Sequence, residues 1–278
     1  MLALGPWYEV VDTFCIVVFF TLLLLRVWPS LRTQWRRPGA TPAFFVALGL
    51  MASFVIAEDV LEGDANDFIL VLDALVRDGM RGVAAHSHIR SIAATVSMCT
   101  SLGLAIIIAI GTLSLAAMRR LRDAVFFAAG TIGAWAFSGL LKVTFAVHRP
   151  GSVDRYGFPS GHTLVTLVAA GLMIYILTRS SRGHVRAAWY ALAVAVSLLS
   201  GLSRVVLGAH WVSDVLGAVA IGTVWLGLLA LADSRRRGAA SLGRNALDRL
   251  REIAVKSAGE RRQAGRSAAD PMVSLDPA

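Results

Sequence analysis

The sequence predicts an all-α protein, a polytopic membrane helical bundle, from three observations. Of the 278 residues, 56% are hydrophobic and 16% charged, where a soluble domain carries roughly a quarter charged. Mean hydropathy is +0.65. The apolar residues also come in blocks longer than a soluble core helix uses. Together these exclude a soluble globular domain, and they exclude intrinsic disorder, which needs low hydrophobicity.

Seven apolar runs suit membrane spans, near 10–28, 42–57, 91–117, 124–146, 161–178, 187–203 and 211–232. The second is short and is expected to extend at one end. Met1 to Val10 carries no Arg or Lys, so it lacks the charged start of a cleavable signal peptide and the first run is expected to stay. Basic residues set the orientation. Arg26, Arg32, Arg36 and Arg37 fall in one connection, Arg119, Arg120 and Arg122 in another, and Arg179, Arg182 and Arg186 in a third. Arg235, Arg236 and Arg237 open the tail. In a seven-span chain all four groups share one side, which becomes the cytoplasm. The N-terminus, 58–90, 147–160 and 204–210 then face outward.

This pattern accounts for the net charge of +9 and the pI near 10.7 without a nucleic-acid partner. The basic residues number 27, and only Lys142 and Lys256 are lysines. Cys15 and Cys99 sit in apolar runs and read as packing residues, with neither zinc spacing nor a disulfide framework. Segment 58–90 is acidic on balance and contains apolar stretches too short to span. It reads as an amphipathic helix on the outer surface, with a re-entrant segment as the alternative. His86 and His88 within it read as a solvated pair. After residue 232 the composition shifts to Ser, Arg, Ala and Gly. Leu242, Ala246, Leu250 and Ile253 recur at helical spacing, which allows a membrane-surface helix, but the composition favours a disordered basic tail. The expected organisation is an N-terminal span and cytoplasmic loop over 1–41, a six-span core over 42–232 and a basic cytoplasmic tail over 233–278.

Three polar clusters remain that this topology does not require. Lys142 is followed after six residues by Arg149 and Pro150. Phe158, Pro159, Ser160, Gly161 and His162 open the fifth span. Ser203 and Arg204 are followed after five residues by His210, and Asp214 comes after three more. The orientation, derived from arginines elsewhere, puts all three on the outer side at similar depth. Ionisable groups at that depth are costly and usually functional. Lys142, Arg149 and Arg204 outnumber Asp214 and suit a polyanion, phosphate above all. Ser160 reads as an N-cap at a helix start, where free amides also bind anions. His210 and Asp214, four apart, share a helical face. A carboxylate on one imidazole nitrogen leaves the other as a nucleophile, and His162 is a candidate general acid. Taken singly, Lys142 and Arg149 would suit interfacial snorkelling, Ser160 a plain cap and His210–Asp214 a structural pair. The three clusters in register argue against those readings.

These segments resemble the three signature motifs of the type-2 phosphatidic acid phosphatase superfamily, which also includes vanadium haloperoxidases. The resemblance covers about 42–232 and makes that region a six-span phosphatase core preceded by one extra N-terminal span. It implies that His210 becomes phosphorylated and that His162 protonates the leaving oxygen. It also implies that Lys142, Arg149, Ser160, Gly161 and Arg204 hold phosphate, with Asp214 orienting His210 and no metal or other cofactor. The expected function is hydrolysis of a lipid phosphomonoester or pyrophosphate through a phosphohistidine. Phosphatidic acid, phosphatidylglycerol phosphate, a polyprenyl pyrophosphate and a lipid A phosphate all remain open as substrates. The expected location is a bacterial inner membrane, with the site on the periplasmic face. A phosphotransferase using an acceptor alcohol is the alternative within the enzyme class, and a non-catalytic membrane carrier or scaffold is the alternative outside it.

Overall fold

The computed structural model describes residues 40–62, 67–150, 152–179 and 181–268. The expected span at 10–28, with Cys15, and most of the connection after it lie outside the described residues. Among the described residues the chain runs through helices α1 (Ala40–Glu62), α2 (Phe68–Ala84), α3 (Ser87–Cys99), α4 (Leu102–Ala117) and α5 (Leu121–Phe145). A hairpin of β1 (His148–Arg149) and β2 (Ser152–Tyr156) follows, then α6 (Gly161–Leu177), α7 (Gly183–Val206) and α8 (Val212–Ala268). The all-α membrane bundle is as the sequence predicts. Five helical stretches are long and apolar enough to cross a bilayer: Pro42–Glu62, Ser87–Ala117, Leu121–Phe145, Gly183–Val206 and Val212–Ile253.

Helix α6 is the centre of the bundle. Thr163 through Ala169 are all buried, as are Gly171, Leu172 and Ile176. Its 17 residues give a length of about 26 Å, short of a hydrocarbon core of about 30 Å. A helix enclosed by protein need not match the bilayer. Around it, Phe127 and Ala134 of α5, Leu164, Val168 and Leu172 of α6 and Ala218 of α8 form one contiguous core. The alanines at 134 and 218 have no exposed surface, and small residues of this kind let membrane helices approach closely. The outer surface inverts the soluble pattern. Phe54, Trp135 and Val143 are 70%, 71% and 70% exposed, an apolar belt that fits lipid and would be a liability in water.

Asp123, near the start of α5, ties the far end of the bundle. Arg179 Nη1 donates to its Oδ1 at 2.6 Å and Arg120 Nε to its Oδ2 at 2.9 Å. Arg120 also donates to the Ile176 carbonyl at 3.4 Å, near the end of α6.

Two features depart from the sequence expectation. The run at 91–117 is broken into α3 and α4. Thr100 Oγ1 donates to the Val96 carbonyl at 3.0 Å and Ser101 Oγ to the Ser97 carbonyl at 2.7 Å. Hydroxyls that return to i−4 carbonyls in this way bend helices. Cys99, at that break, is exposed instead of packed. The 147–160 connection holds a two-stranded antiparallel hairpin, pairing His148 with Tyr156 and Arg149 with Ser152. The 58–90 segment forms the expected amphipathic helix as α2, after α1 has extended to Glu62. His86 and His88 are exposed beyond it.

Residues 232–268 belong to a second compact unit. Helix α8 continues to Ala268, so the favoured reading of a disordered tail is corrected up to that residue. Ala, Leu, Arg and Glu are strong helix formers, and no proline interrupts 233–268. Arg237 pairs with Asp233 one turn back at 2.6 Å. Leu242, Leu250 and Ile253 are exposed on this helix.

Candidate active site

Helix α5 delivers Lys142 in its last turn. The helix stops at Ala146, whose backbone is left-handed (φ 51°) and whose N–H donates to the Lys142 carbonyl at 3.0 Å. The hairpin then aims Arg149, whose Nε donates to the Tyr156 carbonyl at 3.0 Å. The Gly157 N–H donates to the Val147 carbonyl at 2.6 Å, closing the base of the hairpin. Gly157 is required by space: a Cβ there would lie 2.7 Å from Asp214 Oδ2.

Ser160 occupies the N-cap position of α6, but its side chain makes no capping hydrogen bond. Its fully buried hydroxyl oxygen instead accepts from Thr163 Oγ1 at 3.1 Å. Its N–H donates to the backbone carbonyl of Asp214 at 2.9 Å, which joins the second cluster to the third. The amides that open α6 after it, at Gly161 and His162, have no intrahelical acceptor. A Cβ at Gly161 would stand 3.7 Å from Lys142 Nζ and 3.2 Å from Ser138 Oγ, so glycine lets the ammonium approach this helix start.

The turn between α7 and α8 carries His210, which is 2% exposed, and Asp214 opens α8 with no exposed surface. His210 Nδ1 lies 2.9 Å from Asp214 Oδ2, and the Trp211 N–H donates to the same oxygen at 3.0 Å. His210 Nε2 is buried without a hydrogen-bond partner among the described residues. With Nδ1–H given to the carboxylate, Nε2 holds the lone pair. Burial lowers the pKa of His210 below the ordinary histidine value, against the opposing pull of the Asp214 hydrogen bond. Burial thus favours the neutral ring.

The sequence-predicted residues come together. Lys142 senses the charges of Arg149, Arg204 and Asp214, and His162 those of Arg204, His210, Lys142 and Arg149. Four partners were not expected. Ser97 Oγ accepts from Arg204 Nη1 at 2.7 Å, and Ser101 Oγ lies 2.7 Å from His162 Nε2. Asp73 of α2 is buried and grips Ser213, accepting from its N–H at 2.8 Å and its hydroxyl at 2.6 Å. Burial raises the Asp73 pKa and the Ser213 hydrogen bonds oppose that shift. Arg77, one turn on, stacks over the Trp211 ring at 5.0 Å. Only the amphipathic pattern of α2 pointed toward these last two. A cavity of about 230 Å³ lies between α2 and the His210 turn, bounded by Arg77, Arg81, Pro150, His210 and Trp211.

Residues 123–237 match the sequence model of the PAP2 superfamily, and all three clusters lie within that stretch. That stretch is therefore similar to the PAP2 superfamily. Three curated relatives align over parts of the chain. Lipid phosphate phosphatase delta of Arabidopsis thaliana is 33% identical over 90 residues, which is 31% of this chain and 22% of the relative. Lipid A 1-phosphatase of Porphyromonas gingivalis is 37% identical over 82 residues, 29% of this chain and 17% of the relative. Phosphatidylglycerophosphatase B of Bacillus subtilis is 33% identical over 72 residues, 25% of this chain and 35% of the relative. The matched segments thus span about a third or less of these relatives' own lengths. The crystal structure of a transmembrane PAP2-type phosphatidylglycerolphosphate phosphatase from Bacillus subtilis superposes with a TM-score of 0.57. It covers 69% of this chain and 96% of that one at 19% identity, a likeness of fold. The apolar helices, with the likeness of fold to a transmembrane protein, make this an integral membrane protein.

Proposed function

We propose that the chain is a membrane lipid-phosphate phosphatase that works through a phosphohistidine. One observation carries this reading: a buried imidazole, oriented by a carboxylate, keeps Nε2 unpartnered in the company of Lys142, Arg149 and Arg204. Three fixed cations and the opening amides of α6 form a cradle for a phosphoryl group. The Nε2 lone pair of His210 attacks phosphorus in line, the P–O bond to the lipid breaks, and His162 gives its proton to the departing alkoxide. Water then attacks the P–N bond, with His162 taking a proton from it, and inorganic phosphate leaves. Lys142, Arg149 and Arg204 hold the equatorial oxygens as charge builds on them. Asp214 balances the positive charge that His210 gains on phosphorylation.

The lipid nature of the substrate follows from location, because the cradle lies at the ends of apolar helices where headgroups meet acyl chains. The relatives named as lipid phosphatases support it. We place the site on the extracytoplasmic face, on the strength of the arginine-rich opposite connections.

The deciding experiment is a phosphate-release assay of the purified protein over a panel of lipid phosphates and pyrophosphates. Release from at least one substrate is expected, and it should survive EDTA because fixed cations supply the charge stabilisation that Mg²⁺ supplies elsewhere. Activity lost on chelation and regained with Mg²⁺ would point to different chemistry, and no release from any substrate would favour a carrier. Sidedness is tested separately. A single cysteine introduced at 151–157 should react with an impermeant reagent added from outside, and one at 181–185 should not. The opposite pattern moves the site to the cytoplasm.

A further inference from the structure

Two hydroxyls outside the three clusters reach into the site from one place, the break between α3 and α4. Ser97 and Ser101 lie four residues apart. Ser97 is 5% exposed, and its Oγ accepts from Arg204 Nη1 at 2.7 Å. Ser101 Oγ donates to the Ser97 carbonyl at 2.7 Å and lies 2.7 Å from His162 Nε2. A serine hydroxyl has one proton. With that proton committed to the Ser97 carbonyl, Ser101 faces His162 with a lone pair, and the imidazole nitrogen there must carry hydrogen. The break makes this geometry possible. The backbone at Ser101 is non-helical (φ −102°, ψ −83°), and its side chain both sustains the bend and presents the acceptor.

We propose that Ser101 is a positioning residue for proton delivery: it holds His162 through Nε2–H and thereby assigns Nδ1 as the atom that protonates the leaving alkoxide, while Ser97 fixes the Arg204 fork on the phosphate. The assignment rests on the phosphatase reading and extends it to a helix outside the PAP2-matched stretch. In the protonated ring both nitrogens carry hydrogen. The Nδ1 proton passes to the alkoxide oxygen as the P–O bond breaks, and the ring is left neutral with hydrogen on Nε2. That is the tautomer the Ser101 acceptor favours. An acid surrounded by Lys142, Arg149 and Arg204 is hard to keep charged, and an acceptor on Nε2–H offsets part of their repulsion.

The test uses two substrates of the full-length protein, an alkyl lipid phosphate and an activated aryl phosphate whose phenolate leaves without help. The quantity measured is kcat/KM, which reports only steps up to alcohol departure. Ser101→Ala is expected to lower kcat/KM on the alkyl ester about 10-fold to 100-fold, a share of what a general acid contributes. On the aryl ester it should stay within about threefold. Ser101→Cys keeps the volume with a weaker acceptor and should give the same split if the alanine variant folds poorly, and Ser101→Thr should restore the alkyl activity. Ser97→Ala should lower both substrates alike, about fivefold through KM, as expected for one lost hydrogen bond on a binding arginine. Equal losses on both esters for Ser101→Ala and Ser101→Cys, or no loss on either, overturn the assignment. A wild-type protein inactive on both esters overturns the phosphatase reading itself, and the serine assignment with it.

Discussion

Replacing His210 with alanine is expected to abolish phosphate release, by at least about 10⁴-fold, which is below what the remaining site contributes without its nucleophile. The fold should survive. The Ser160 N–H bonds the Asp214 backbone carbonyl and the Trp211 N–H bonds the Asp214 side chain, so the joint between the second and third clusters does not pass through the imidazole. The check is a phosphate-release assay beside a thermal melt in detergent. Residual activity within tenfold of the parent removes the covalent mechanism. Trapping a phosphoprotein labile to acid, present in the parent and absent in His210→Ala, is the positive counterpart. The pH profile adds a second constraint. Attack requires the neutral imidazole, and burial lowers the His210 pKa. The acid limb of kcat/KM should therefore fall below about 6.5, the ordinary histidine value, with activity present above that limb and lost as pH drops through it. A limb above pH 7 contradicts the assigned environment.

Asp214→Asn is expected to lower turnover by about 10²–10⁴, the range set by the analogous change in a serine-protease triad, with little effect on apparent affinity. The carboxylate reaches His210 Nδ1 and the Trp211 amide. Asparagine keeps the shape but removes the charge that opposes the cationic phosphohistidine, and its amide can present N–H to Nδ1 and reverse the tautomer. Arg204→Ala should behave differently. On the proposed reading its guanidinium binds phosphate before and during reaction, so KM should rise as kcat falls. Both parameters measured for both variants decide the roles. An Asp214→Asn protein that raises KM and keeps its turnover would show that the carboxylate does not orient the nucleophile.

The membrane bundle was legible, and the eight candidate residues could be singled out, because their signals are local or compositional. Arginine counts, apolar run lengths and three short clusters each survive in one dimension. Lys142 ends a helix, Ser160 begins one, and His210 sits one turn from Asp214. The missed partners have no such signal. Ser101 meets His162 from 61 positions away, and Ser97 meets Arg204 from 107. A serine in an apolar run looks like any small residue that lets helices approach. The break at Thr100 and Ser101 was invisible for the same reason, since hydrophobicity continues through it. Asp73 read as part of an acidic surface segment, because nothing in 58–90 says that one carboxylate turns inward. The helical tail was misjudged on composition, which weighed Ser, Arg and Gly above the helix formers between them.

Asp73 bears on how far parts of this protein can be exchanged. Its carboxylate receives both the N–H and the hydroxyl of Ser213, the residue before the one that orients His210. A substitution that frees Asp73 leaves a carboxylate buried without its hydrogen bonds, and one at Ser213 removes half of them. The two positions therefore form a single inheritable unit. A chimera that takes its 68–84 segment from another protein of this fold is expected to keep His210 in its place only if residue 213 comes with it. Conversely, a library that diversifies α2 should hold Asp73 and Ser213 constant and let Arg77, Arg81 and the exposed face vary.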